Sequence, residues 1–418
     1  MSASLSASIL VTDGEQRSAL AAVRSLGRAG HEVTVCAAKL PSLAGASRYA
    51  VSEFEVPDAT THPRANSEAV AGLLRQRGIR VALPMTEASL LSVLPLGRRF
   101  PDVIFPFPSL DSFQSVSDKT RVFEAARRLD ILVPEELVVP TRADFDPDRT
   151  MPPAFPLVVK PARSVSGDAS GRRKLSVGHA ADRATLERLV RELPSSAFPI
   201  HLQRRVEGPG VGVFLLIWKG ELVASFAHRR LREKPPSGGV SVFRESIAPA
   251  PDLVSQARRL LASFEWDGVA MVEFKLDRAT GQAYLMEVNG RFWGSLQLAI
   301  DAGVDFPRLL VDASLGLDPE PVHHYRAGVR LRWFWGDVDH LAARLRRSRG
   351  ELDLPVTGPG RLRAVADFLA AMFTGRGEVL RWYDPAPAWR ETVQWLNLVL
   401  RRRAARPESA GSREESAL

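Results

Sequence analysis

The sequence predicts an α/β N-terminal domain, followed by α+β subdomains and a mostly helical C-terminal region. Short apolar strands alternate with amphipathic helices up to about residue 107, strands dominate between residues 155 and 289, and arginines and tryptophans at helical spacing fill the stretch beyond 318. A chain of 418 residues is too long for one ordinary core. The expected divisions are 1–118, 119–205, 206–317 and 318–406, with a Ser-, Glu- and Gly-rich tail at 407–418 read as disordered.

Residues 8–12 form an apolar strand, 17–29 have helical spacing, and 31–37 form a second strand after Gly30, which together predict a βαβ unit with a parallel sheet. The pattern repeats with a helix at 67–77, a strand at 80–84, a helix from about 88 and a strand near 103–107. The first turn, residues 12–16, lacks the G-x-G-x-x-G spacing, which argues against dinucleotide binding. At the strand ends, Asp13, or Thr86 with Glu87, either touches a small molecule or caps its own loop. Asp118 and Lys119 open a helix at 120–129, and the polar, proline-rich stretch 144–156 reads as a boundary or hinge. A strand at 155–160, a Ser/Gly-rich loop at 162–174, a helix at 184–192 and a strand at 200–205 come next. Strands at 211–218, 221–228, 266–276 and 285–289 then precede a helix at 296–302.

Bulk properties exclude several classes. With 25% charged and 45% hydrophobic residues the chain has the composition of a globular protein, and no apolar run is long enough for a spanning helix. The net charge of +8 suits anionic small molecules or an acidic surface, yet no nucleic-acid motif accompanies it. A lone cysteine, Cys36, points to a reducing cytoplasm and to a buried thiol. Near the C-terminus, Trp389, Val393, Leu396 and Leu400 fall close to helical periodicity ahead of Arg401, Arg402 and Arg403. Such a helix either lies peripherally on an anionic inner-membrane face or packs on its own domain with the arginines complementing its dipole.

The chemistry concentrates at residues 285–295, where Glu287 and Asn289 stand two apart in an apolar strand and so share a face. Residues 277–282 hold the turn of a hairpin, and pairing centred near Thr280 sets Glu273 directly opposite Glu287. Opposed carboxylates need a cation or a shared proton, and two carboxylates with an amide are an oxygen-only donor set suited to Mg²⁺. Lys160 ends its strand before Pro161, and the small residues after it, Ser164, Ser166 and Gly167 among them, let backbone N–H groups approach a phosphate chain. In the cationic stretch 226–241, His228 and Arg230 are spaced to share a strand face and clamp a carboxylate or acyl phosphate; the alternative is a solvated basic strand end. His228, near several arginines, stays neutral. Arg291 falls on the face of Asn289, while Phe292 and Trp293 either wall the site from water or pack in the core.

Taken in order, Asp118-Lys119, Lys160 before a Ser/Gly loop, the linker Gln203 to Gly208, and Glu273 with Glu287-x-Asn289 in the run MEVNGRFWGS resemble the ATP-grasp superfamily, nearest to its carboxylate-amine ligases, over about residues 8–315. The resemblance implies an αβ preATP-grasp domain followed by two α+β subdomains that close on ATP. It implies that Lys119 and Lys160 contact ATP phosphates or the adenine pocket, that Glu273, Glu287 and Asn289 hold one or two Mg²⁺, with Mn²⁺ an alternative, and that Arg291 stabilises transferred phosphate. The implied partners are ATP and small-molecule carboxylate and amine substrates; the competing readings are a catalytically reduced ATP-binding scaffold and an ATP-grasp carboxylase. One position departs from the family. Where many relatives carry a linker glutamate for the adenine amino group, this chain has Arg204, so adenine recognition falls to Gln203, the backbone of Arg205 and Val206, or Glu207 in a shifted register.

Overall fold

The computed structural model describes residues 6–147, 155–167, 171–236, 238–352 and 359–404. Four strands, β1 (Ser8–Val11), β2 (Glu32–Ala37), β3 (Ser52–Glu55) and β4 (Val81–Leu83), form a parallel sheet in the order β3-β2-β1-β4. Helices α1 (Arg17–Arg28), α2 (Pro63–Gln76) and α3 (Glu87–Val93) connect and cover it. The expected strand near 103–107 is reduced to one bridge, Ile104 to Val81. The thiol of Cys36 is fully buried, and burial pushes its pKa well up.

Helices α4 (Leu110–Val116) and α5 (Lys119–Arg128) lead out of this unit. Asp118 caps α5 by accepting from the Thr120 N–H, which fixes the place of Lys119. A four-stranded antiparallel sheet follows in the order β5-β10-β6-β9, from β5 (Glu136–Val139), β6 (Leu157–Pro161), β9 (Gly178–Ala180) and β10 (Ile200–Arg204), backed by α6 (Arg183–Glu192). The stretch 162–174, expected to be a loop, instead contains the hairpin strands β7 (Val165–Gly167) and β8 (Arg172–Lys174). Strands of three residues are too short for an alternating pattern to register. Part of the expected hinge at 144–156, and the whole tail at 407–418, lie outside the described residues.

The largest sheet has seven strands in the order β15-β14-β11-β12-β13-β16-β17. These are β11 (Gly210–Trp218), β12 (Glu221–Lys234), β13 (Val240–Ile247), β14 (Gly268–Leu276), β15 (Ala283–Asn289), β16 (Arg330–Arg332) and β17 (Arg376–Gly377). Helices α7 (Pro251–Ala262), α8 (Leu296–Ala302) and α9 (Phe306–Ser314) pack against its strands. The C-terminal region is tied to this sheet as well as being helical: β16 pairs with β13 and carries β17 on its far side. Helices α10 (Phe334–Arg346), α11 (Arg361–Thr374) and α12 (Ala386–Ala404) complete it. Among the described residues no helix is long and apolar enough to cross a membrane.

One face of α12 is packed: Trp395 stacks on Trp335 at 4.0 Å between centroids, and Glu391 accepts from Trp333 Nε1 at 2.7 Å. Its neighbouring stripe, Trp389, Leu396 and Leu400, is exposed. The C-terminal region also grips the first unit through Arg24, whose fully buried guanidinium meets Asp384 at 2.7 Å and donates to the carbonyls of Val379 and Asp384.

Candidate active site

The turn after β14 sets the site's register. Asp277 accepts from the N–H groups of Ala279 and Thr280 and its own N–H donates to the Gln282 carbonyl, so the hairpin closes with Glu273 opposite Glu287 and Met271 opposite Asn289. A bulge beside Glu273 leaves Met286 as the extra residue on β15, and its Sδ lies 4.0 Å from Lys160 Nζ. Glu287 Oε1 accepts from Asn289 Nδ2 at 2.9 Å, and Asn289 Oδ1 accepts from Arg291 Nη2 at 3.3 Å.

Across β11 the same row continues: Gly212 pairs with Glu273 on one side and with His228 on the other. Gly210 and Gly212 present no side chains on this face. A Cβ at Gly210 would come within 3.3 Å of Arg230 Cδ, and one at Gly212 within 3.0 Å of His228 Nε2. This bare lane lets Arg230 cross β11 and pair with Glu273 while also holding Glu233 at 2.9 Å. His228 and Arg230 therefore do share a neighbourhood, but the other cations of the stretch are engaged with acids: Arg229 with Glu245, Arg232 with Asp337 and Lys234 with Asp339. His228 is buried against Phe214, its Nδ1 is 3.3 Å from Ser295 Oγ, and its Nε2 has no hydrogen-bond partner. Burial, with Arg230 and Arg244 nearby, pulls its pKa well below the usual histidine range, so the ring is neutral.

Charges in this row are strongly unequal. Burial pushes Glu273 up to about 7 against the pull of Arg230, with Glu287 adding to the rise. Desolvation pushes the half-buried Glu287 up, yet Lys119, the Asn289 amide and Lys160 together hold it below the ordinary carboxylate value. Burial lowers Lys160 to about 8, opposed by Glu287.

Lys119, Ser164, Glu287, Asn289 and Arg291 line one tight cleft. Lys119 Nζ reaches Ser164 Oγ at 3.4 Å, and its N–H donates to the Ala162 carbonyl. A second cavity of about 430 Å³, within the size range of small-molecule sites, is lined by Asp118, Arg163, Ser166, Gly167 and Arg172. Glu87 borders both, facing Arg291 and Lys119, and burial raises its pKa. Of the N-terminal candidates, then, Glu87 turns to the site. Asp13 and Thr86 cap loops: Asp13 accepts from the hydroxyls of Thr86 and Ser89, and Thr86 accepts from the Ser89 N–H. Arg172 of β8 clasps the first unit by donating to Ala88 O and Ser92 Oγ.

Lys160 and the linker residues Gln203, Arg205, Val206 and Glu207 line neither cavity. Gln203 donates to Glu136, which also meets His201 Nδ1 at 3.0 Å. The Arg205 N–H is bonded to Pro156 O, Val206 O accepts from Lys275 Nζ, and the exposed Glu207 offers its carbonyl to the Arg278 N–H. Phe292 and Trp293 are core residues, the latter packed on Phe214 and Phe306. The Glu136–His201 pair carries no sequence signal of its own, since it depends on strands that meet only in the fold.

The donor set at β14 and β15 fits a hard divalent cation: two opposed carboxylates, Glu273 buried and Glu287 half-buried, and an amide oxygen. Among the described residues no group of three or more His, Cys, Asp and Glu side chains gathers as an alternative metal site.

Residues 198–336 match the sequence family described as ATP-grasp in the biosynthetic pathway with Ter operon. No curated protein sequence matches the chain. Among solved structures, an L-amino acid ligase from Bacillus licheniformis is 16% identical with a TM-score of 0.57, over 75% of each chain. Biotin carboxylase from Campylobacter jejuni, in a β,γ-ATP complex, is 15% identical with a TM-score of 0.60, over 79% of this chain and 75% of that one. An N5-carboxyaminoimidazole synthetase from Staphylococcus aureus complexed with ADP is 14% identical with a TM-score of 0.58, over 78% of this chain and 80% of its own. The fold is that of the ATP-grasp superfamily.

Proposed function

We propose that this protein is an ATP- and Mg²⁺-dependent ligase that activates a small carboxylate as an acyl phosphate and joins it to an amine. The reading rests above all on the opposed pair Glu273 and Glu287 beside a cleft that gathers Lys119, Ser164, Asn289 and Arg291. Glu273, Glu287 and Asn289 would hold Mg²⁺, which when bound screens the charge of the nucleotide's terminal phosphates. Arg291 and Lys119 add fixed positive charge where the phosphoryl group moves, and Lys160 adds its own below pH about 8. The β7–β8 hairpin, with Ser166 and Gly167, covers the phosphates and excludes water. A carboxylate oxygen takes the γ-phosphoryl group and ADP leaves; the amine nitrogen then attacks the acyl carbon, phosphate departs, and the amine loses a proton. His228, neutral and with Nε2 unpartnered, suits the role of accepting that proton, and Arg230 orients Glu273. The solitary buried Cys36 suits the reducing cytoplasm.

Incubating the purified protein with ATP, Mg²⁺ and libraries of amino acids and sugar acids tests the reading. Substrate-dependent ADP release with a coupled product supports it; bound ATP with no such release removes it. A second reading is a nucleotide-binding scaffold, favoured by Arg204 at the linker, whose guanidinium lies over Tyr284 at 5.6 Å, and by Arg230 already neutralising Glu273. The same assay separates the two.

A further inference from the structure

The C-terminal helices carry an apolar surface that no described part of the fold covers. On α11, Leu362, Leu369 and Phe373 are 88%, 51% and 91% exposed and fall on one helical stripe. Beside it, Met372, Leu380 and Trp389 join Phe334 and Trp335 around a groove of about 570 Å³, and the intervening Trp382 projects with 91% of its surface exposed. Exposed apolar areas of this kind mark interaction surfaces.

The charges around it are one-sided. From Pro359 to Arg401 every acidic residue is buried or half-buried and has a partner. Asp367 pairs with Arg363, Glu378 with Arg17 and Arg244, Asp384 with Arg24, and Glu391 accepts from Trp333. The exposed charged groups of the same stretch are Arg361, Arg363, Arg376 and Arg401. Arg361 also lines a cavity of about 300 Å³ with Arg344, Arg347 and Arg349, whose lining among the described residues holds no acid. The first turn of α11 has no acid to balance its arginines, so positive charge accumulates at the positive end of the helix dipole, which an anionic neighbour would offset. Projecting aromatics flanked by exposed arginines, with the acids of the stretch paired, are the makeup of an interfacial anchor on anionic lipid.

We propose that α11, the Trp382 turn and the outer stripe of α12 dock this protein on the surface of an anionic lipid bilayer, with Phe373 and Trp382 at the headgroup boundary and Arg361 and its neighbours on lipid phosphates. The inference is independent of the ligase reading. Both helices lie in the membrane plane rather than spanning it.

Co-sedimentation of the full chain with vesicles tests it, comparing phosphatidylcholine alone with equimolar phosphatidylcholine and phosphatidylglycerol. Binding is expected only with phosphatidylglycerol and weakens with added salt. Phe373→Ser and Trp382→Ser each lower partitioning by about tenfold or more, and Arg361→Ser by about fivefold. Unchanged thermal melting of these variants keeps a folding defect from mimicking the result. Binding to neither vesicle, equal binding to both, or wild-type partitioning of the Phe373→Ser, Trp382→Ser double variant overturns the proposal. So does a concentration-dependent dimer that binds no vesicle, which would assign the face to a second copy of this chain.

Discussion

Removing the Arg230 guanidinium probes whether Glu273 and Glu287 form one electrostatic unit. Arg230→Met keeps the aliphatic stem and deletes the cation held between Glu233 and Glu273. Glu273, whose side chain is only 11% exposed, then faces Glu287 across β14 and β15 without its main counter-charge. Directly opposed positions on antiparallel strands, about 5 Å apart, set two carboxylates at a repulsion of roughly 3 kcal/mol at an effective dielectric near 20. Breaking a buried pair costs about 3–5 kcal/mol, so metal-free stability should fall by about 3 kcal/mol. The loss depends on pH. A carboxyl raised to about 7 from 4.5 contributes stability that is fully present below about 4.5 and is lost as pH rises through about 7. Without Arg230 to hold it down, Glu273 titrates higher still, and its protonation relieves the repulsion, so the deficit of the variant shrinks toward acid and is full above neutrality. Mg²⁺ with a non-hydrolysable nucleotide supplies the missing charge and stabilises the variant more than the parent. Urea unfolding on both sides of neutrality, with and without that ligand, measures each quantity. A deficit that does not vary with pH, together with equal ligand stabilisation of both proteins, would refute the reasoning.

Burial holds Lys160 near 8, so its neutral form is favoured in the fold; that contribution to stability is present above about 10.5 and lost as pH falls through about 8. Phosphate binding needs the charged form, so nucleotide affinity measured by calorimetry should weaken up to tenfold per pH unit above about 8, and Lys160→Met should abolish that slope. At Gly212 an added Cβ would lie 2.7 Å from the Phe214 ring, itself wedged against Trp293, so Gly212→Ala should cost about 2 kcal/mol by thermal denaturation; an unchanged melting point contradicts the bare-lane argument. Arg24→Met leaves Asp384 buried without its cation, and loss of about 3–5 kcal/mol should appear as faster proteolysis of the C-terminal region.

The acidic pair was legible in the sequence because a local turn fixes it. Asp277 sets the hairpin, the hairpin sets the register, and the period of two puts Glu273, Glu287 and Asn289 on one face. Lys119 was legible for a similar reason, since Asp118 is a local helix cap. What escaped depends on distant chain segments. Nothing in the sequence marks Gly210 and Gly212 until Arg230, on the neighbouring strand β12, is laid across them. Which of two roles Glu87 takes is settled only by the fold, where the start of α3 meets the cleft, and Gln203 spends its amide on Glu136 rather than standing open at the linker. The strands β7, β8, β16 and β17 are too short to leave a periodic signature, and only the fold shows that the first two pair with each other and the last two extend the seven-stranded sheet.

Calorimetric titration of the wild type and Glu287→Gln with ATP, each with and without Mg²⁺, tests the central claim most directly. The account predicts tight binding to the wild type that depends on Mg²⁺, and loss of that dependence in the variant, whose neutral amide removes one anionic ligand while keeping its shape. Binding to both proteins with the same Mg²⁺ dependence, or no binding to the wild type, would contradict it.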